Sequence, residues 1–164
     1  MEDPVLDELD LRLLAELQRD ASRSNQALAD AAGVSPATTL RRVRRLVKLG
    51  VIERQVALLQ PERLAAAIGH GLSVLIEVSL DRQGAEWLDA FEARAVAEAA
   101  VQQCWRVSPG PDFVLVVAVR DMPDYQTLAQ RLFTQDANVR NLRAFFGIKR
   151  AKFEPALPLP GRPG

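Results

Sequence analysis

Arg41, Arg42, Arg44, Arg45 and Lys48 crowd into two helical turns, and no aspartate or glutamate lies between Asp30 and Glu53. A row of guanidinium and ammonium groups without local i,i+4 carboxylate partners suits phosphate recognition, because each cation can displace a counter-ion of a nucleic-acid backbone. Arginine adds a second capability, since its fork matches the O6 and N7 acceptors of guanine in the major groove. Catalytic side chains are sparse by comparison. The chain has one histidine, His70, and one cysteine, Cys104, in the stretch Gln102-Gln103-Cys104-Trp105-Arg106, with no His neighbour and no general acid or base of suitable pKa. A buried structural thiol is the expected role of Cys104. No Walker or dinucleotide motif, metal-ligand cluster or Ser-His-Asp arrangement is present, so neither an enzyme nor a cofactor is expected.

The cations need a helix to present them, and the flanking residues supply its start. Ser35 can accept a backbone N–H as N-cap, and Pro36 suits the first helical position, where no N–H is required. At about 100° per residue, Thr39, Leu40, Val43, Leu46 and Val47 share one side, and Ala37, Thr38, Arg41, Arg44, Arg45 and Lys48 the other. Upstream, Ser24 can cap a short helix through Ala31 with Leu28 and Ala32 inward, and Gly33 allows the sharp turn that crosses two helices steeply. A first helix starts at the N-cap Asp7 with Asp10 at N3, with Leu6 and Leu11 spaced as a staple and Leu9, Leu13, Leu14 and Leu17 forming its stripe. Gly50 ends the third helix, and an extended run from Val51-Ile52 through Leu59 would form a wing and the exit from the domain. The pattern is a winged helix-turn-helix, whose second crossing helix enters a major groove.

These residues resemble a known family. Leu6-Asp7, Asp10, Leu14, Leu17-Gln18, Arg23, Ser24-Asn25, Leu28-Ala29, Ser35, Arg42-Val43, Arg45-Leu46 and Gly50-Val51-Ile52 fall in the order and spacing of the amino-terminal half of the Lrp/AsnC family, the leucine- and asparagine-responsive regulators. The resemblance continues over nearly the whole chain. It implies sequence-specific binding of double-stranded DNA and transcriptional regulation. Ser35, Pro36, Ala37, Thr38 and Arg41 would lie at the groove end of the reader helix, with Arg41 the leading candidate for a guanine contact. Arg42, Arg44, Arg45 and Lys48 are assigned mainly to phosphates; for Arg42 and Arg45 the alternative is a structural ion pair within the domain.

The second half alternates strands and helices. Strands are expected over His70–Leu80, Ala100–Val107, Phe113–Arg120 and Val139–Lys152, and helices over Gln83–Ala99 and from Asp121 to Phe133. The order βαββαβ predicts a ferredoxin-like antiparallel sheet with helices on one face. Its other face would leave Phe145 in water, which together with the apolar run Phe113–Val119 predicts stacking of two sheets into a homodimer. The resemblance implies the same dimer, assembling further to a tetramer or octamer.

The resemblance also implies a small-molecule effector, usually an amino acid, between dimers near the turn joining the second and third strands. In the family that turn commonly reads Gly-x-x-Asp followed by an aromatic residue. Asp112 and Phe113 match, whereas Pro109 occupies the glycine position and Gly110 and Pro111 follow. Two prolines lack the N–H groups a ligand carboxylate would use, while Gly110 and Asp112 retain theirs. Gly110, Asp112 and Phe113 are therefore the effector candidates, and a rigid hairpin is the alternative. Two other readings of the chain are a DNA-organising protein of low specificity and, since siroheme decarboxylases share this two-domain plan, an enzyme. The latter rely on His and Tyr residues near the second and third strands, where this sequence has neither.

Lys and Arg number 21 and Asp and Glu number 21, so positive charge is local and there is no bulk pull toward nucleic acid. A single cysteine permits no intrachain disulfide, and no apolar run suits a signal peptide or membrane helix, so a cytoplasmic protein with no membrane partner is expected. The expected organisation is a DNA-binding domain over 1–52, a linker strand and connector over 53–69, an effector-binding and oligomerisation domain over 70–154, and a disordered tail over 155–164.

Overall fold

The computed structural model describes residues 5–68 and 71–160, apart from the side chains of Glu62 and Ala65. His70, expected to open the first strand, lies outside the described residues. The chain divides into two compact units, one comprising residues up to Leu58 together with those from Lys152 onward, the other running from Leu59 to Ala151.

Three helices build the first unit: α1 (Glu8–Arg19), α2 (Asn25–Ala32) and α3 (Pro36–Lys48). Asp7 caps α1 in a full capping box, its side chain taking the Asp10 N–H at 2.9 Å while Asp10 takes the Asp7 N–H at 3.3 Å. Ser24 caps α2 through the Ala27 N–H, and Gly33 ends it in the left-handed conformation at φ 69°. The core between the helices is small: Leu13, Leu28 and Ala32 are buried, with Leu9, Leu17, Val34 and Val43 packed around them. On α3 the packed side is narrower than the pattern predicts. Thr39 and Leu46 are fully buried, while Leu40 and Val47, expected inside, are exposed. Three short helices offer room for only one row of α3 side chains.

Residues 51–60 carry no strand, so the expected wing strand is absent. A two-stranded wing needs a partner strand for its ladder, and none of the described residues provides one. The expected connector is a helix, α4 (Pro61–Ile68), begun by the Arg63 and Leu64 N–H groups donating to the Gln60 carbonyl. Pro61 at its start followed by the helix formers Glu62, Arg63, Leu64 and three alanines accounts for it.

The second unit then runs β1 (Leu72–Leu80), α5 (Ala85–Ala97), β2 (Val101–Arg106), β3 (Phe113–Val119), α6 (Met122–Ala129) and β4 (Val139–Phe146). After α6 the helix widens into a π-turn over Gln130–Thr134 that brings the consecutive Leu132 and Phe133 both into the core. The sheet order is β2-β3-β1-β4 with every pair antiparallel. This is the ferredoxin-like arrangement, with α5 and α6 on one face. Strict alternation in β1 and β3 sends Val74, Ile76, Val78, Leu80, Phe113, Leu115 and Val117 to that face, where all are fully buried. Phe91 of α5 anchors the layer, its ring centroid 4.8 Å from that of Phe113 and 6.4 Å from that of Phe133. The last strand stops at Phe146, earlier than expected, where the Gly147 N–H closes the ladder on the Ser73 carbonyl at 2.8 Å.

Residues 155–160, expected to be a disordered end, have no regular secondary structure but are joined to the first unit. Gln18 of α1 bonds both backbone polar groups of Leu157.

Candidate nucleic-acid interface and effector turn

The reader helix begins as its sequence dictates. Ser35 Oγ accepts the Thr38 N–H at 3.2 Å and donates to Thr38 Oγ1 at 2.9 Å, while Thr39 Oγ1 donates to the Ser35 carbonyl at 3.2 Å. Asn25 of α2 reaches across the turn and donates to the Pro36 carbonyl at 2.9 Å, fixing the crossing of α2 and α3. Ser35, Pro36 and Ala37 are exposed and Thr38 is half-buried, so the N-terminal end of α3 is open to a partner.

The five cations of α3 separate into two groups. Arg42 Nη1 donates to Asp7 at 2.6 Å and to Asp10 at 3.2 Å; Arg45 Nη1 donates to the other oxygen of Asp10 at 2.9 Å and Nη2 to the Val5 carbonyl at 3.0 Å. Asp10 has a side chain only 1% exposed, so it is a buried junction between α1 and two arginines of α3. Arg42 and Arg45 thus make the structural ion pairs that stood as the alternative to phosphate contacts. Absence of acidic residues near them in sequence did not reveal carboxylates brought in from α1. The capping box hydrogen bond from the Asp10 backbone, and then Arg42, hold the Asp7 carboxyl below the usual carboxylate range, and Asp7 in turn raises Arg42. Arg41, Arg44 and Lys48 are exposed and, among the described residues, make no ion pair. Among the described residues no carboxylate neutralises this side of the helix.

The turn between β2 and β3 is a tight hairpin closed by the Val107 N–H donating to the Asp112 carbonyl at 3.1 Å. Two of the three effector candidates are part of the framework. Asp112 Oδ2 accepts the Leu80 N–H at 2.7 Å and the Asp112 N–H donates to the Val78 carbonyl at 2.9 Å, so this amide is not available to a ligand. Phe113 is fully buried against Phe91. Gly110, at φ 123° with nothing near the position of a Cβ, remains exposed at the tip. Cys104 is half-buried and its thiol is pushed up by burial, which makes it a poor nucleophile.

On the face away from the helices, the register aligns Leu75 with Val116 and with Phe145, and Trp105 with Val114. Phe145 is 44% and Leu75 47% exposed, with Trp105 more so. Leu75, Val116, Phe145, Val114 and Trp105 make this face partly apolar, and the Arg143–Glu77 pair at 3.2 Å lies beside them, Glu77 opposite Val114.

A helix-turn-helix with an exposed cationic ridge, in one chain with a ferredoxin-like sheet unit, defines a two-domain DNA-binding regulator. Residues 6–53 match the winged helix-turn-helix DNA-binding family and residues 73–157 the Lrp/AsnC ligand binding domain. The chain is 35% identical over 154 residues to the Bkd operon transcriptional regulator of Pseudomonas aeruginosa, covering 94% of this chain and 98% of that one. Similar solved structures include an AsnC family transcriptional regulator from Agrobacterium tumefaciens, at TM-score 0.81 and 27% identity over 93% of this chain and 97% of that chain. A transcriptional regulator of Neisseria meningitidis in complex with L-Met matches at TM-score 0.80 and 25% identity, covering 94% and 97%. The chain belongs to the Lrp/AsnC family of transcriptional regulators, with an N-terminal DNA-binding domain and a C-terminal ligand-binding domain. No helix among the described residues is long and apolar enough to cross a membrane.

Proposed function

We propose that this regulator reads its operator as a two-fold dimer, with Arg41 at a guanine edge, Arg44 and Lys48 on flanking phosphates, and Pro36, Ala37 and Thr38 beside the bases at the N-terminal end of α3. One observation carries the reading: Arg41, Arg44 and Lys48 stay exposed with no carboxylate partner among the described residues, while Arg42 and Arg45 of the same helix are held by Asp10. Stacking of two open sheet faces would pair the reader helices about a two-fold axis, which suits a pseudo-palindromic site. Further assembly to a tetramer or octamer is the expectation carried from the sequence.

An amino acid is the proposed effector, supported by the ligand-binding family of residues 73–157 and by the L-Met bound to the Neisseria relative. In the turn between β2 and β3 the Gly110 amide is then the donor that can face a ligand carboxylate, since the amide of Asp112 is engaged and Pro109 and Pro111 have none.

The test is competition binding between DNA from upstream of the protein's own gene and scrambled DNA at about physiological salt. A preference of roughly 10³ or more is expected, which Arg41→Ala flattens while Arg44→Ala weakens all sequences alike. Equal competition by scrambled DNA would sink the operator reading and favour a DNA-organising role. Titrating free amino acids into the specific complex tests the effector: none altering the affinity would remove it.

A further inference from the structure

The chain crosses from the sheet unit back to the DNA-binding unit at Lys152, and the nine residues 152–160 carry three prolines, Pro155, Pro158 and Pro160. Without regular secondary structure of its own, this segment finds a partner in α1. Near the C-terminal end of that helix, the Gln18 carboxamide oxygen accepts the Leu157 N–H at 2.6 Å, and its nitrogen donates to the Leu157 carbonyl at 3.2 Å. One side-chain amide therefore satisfies both polar groups of one backbone residue, as a neighbouring strand's peptide would. Between Pro155 and Pro160 only Ala156, Leu157 and Leu159 own an N–H, and two of these have protein acceptors, since the Ala156 N–H donates to Glu154 Oε1 at 3.1 Å. Ala156 and Leu159 are half-buried. The prolines already restrict the free segment to extended conformations, so ordering it on α1 costs less entropy than ordering a flexible tail.

Helix α1 is the right place for such a contact to matter. It carries Asp7 and Asp10, which hold Arg42 and Arg45 of the reader helix. We infer that residues 152–160 form a strap that docks on α1 of the same chain, giving the DNA-binding unit a second connection to the sheet unit and steadying the Asp10 junction that sets the reader helix. The strap is an interaction site whose occupant is the chain's own C-terminal segment. Its effect on DNA rests on the reader-helix assignment above; its docking does not.

Amide exchange followed by NMR on the full-length protein tests docking without DNA. The Leu157 N–H is expected to be protected, and Gln18→Leu, which keeps helix propensity and volume but removes both bonds, should speed its exchange roughly tenfold while the amides of β3 stay unchanged. Leu157 exchanging at an unprotected rate in the native chain overturns the strap. The same variant should bind operator DNA roughly threefold to tenfold more weakly. Loss of Leu157 protection with DNA affinity unchanged overturns the coupling. If Gln18→Leu fails to fold, Leu157→Pro deletes the N–H from the strap side and leaves α1 intact, with the same two outcomes.

Discussion

Asp10 receives two guanidinium groups from residues 32 and 35 positions further along the chain, with almost none of its own surface exposed. Removing it as Asp10→Ala leaves Arg42 its bond to Asp7 and Arg45 its bond to the Val5 carbonyl, and breaks the capping box. Because the two arginine side chains are 24% and 41% exposed, both can rehydrate, and the loss falls short of that for a fully buried pair. A destabilisation of about 2 kcal/mol is expected in urea unfolding. The cations themselves divide in their salt dependence. Arg44→Ala should lower the slope of log K against log salt by about 0.9, because one phosphate contact is gone. Arg42→Ala should leave the slope nearly unchanged while lowering stability. A drop in slope as large as that of Arg44→Ala would return Arg42 to the phosphate group. Which arginines were free was not legible in sequence, because the positions of α3 are set locally and the carboxylates that claim two of them arrive from α1.

At the scale of elements, the helix starts were readable from single residues. Asp7, Ser24 and Ser35 each accept the N–H they were expected to accept, and Gly33 takes the left-handed turn. Element ends were less readable. β4 stops at Phe146 where its ladder with β1 runs out, and the run after α3 lacks a strand partner, neither of which leaves a mark on the residues concerned. The turn between β2 and β3 makes the same point for function. Asp112, an effector candidate in the sequence, also ties this turn to the end of β1, its carboxylate accepting the Leu80 N–H. Asp112→Ala should cost about 1–3 kcal/mol in thermal or urea unfolding by leaving that N–H unsatisfied. It should leave effector affinity of the folded fraction unchanged. A loss of effector binding at full stability would instead mark Asp112 as a ligand contact.

For the whole molecule, the open sheet face is where assembly is proposed. Phe145 of the edge strand β4 sits beside Leu75 of β1, and Phe145→Asp would place a charge where two copies are proposed to stack. Light scattering at micromolar concentration should show a dimer or larger species for the native chain and a shift toward monomer for the variant. An unchanged mass would move the interface elsewhere. Stability against acid follows from several carboxylates at once. Arg120 holds Asp124 down to about 2, Arg131 lowers Glu98, and Asp7 and Asp20 are lowered by hydrogen bonds from neighbouring residues. Depressed values in the folded state mean that this stabilisation is complete above the unfolded carboxylate range near pH 4 and drains away as pH falls through the lower folded values toward about 2. Urea midpoints measured from pH 7 downward should hold roughly level to about pH 5 and then fall.

Periodicity, caps and turn residues by themselves determined that this chain carries a helix-turn-helix and a βαββαβ unit, because each such signal acts over a few residues and is written where it acts. Thr39 and Leu46 inside, Arg41 and Arg44 outside, and the alternation of β1 and β3 all follow from those local rules. Tertiary structure alone decided that Asp10 takes Arg42 and Arg45, that Asp112 serves Leu80, and that Gln18 takes Leu157 from 139 positions away. Those are pairings between residues distant in sequence, and a polar side chain shows its chemistry in the sequence but not the partner that folding will bring to it.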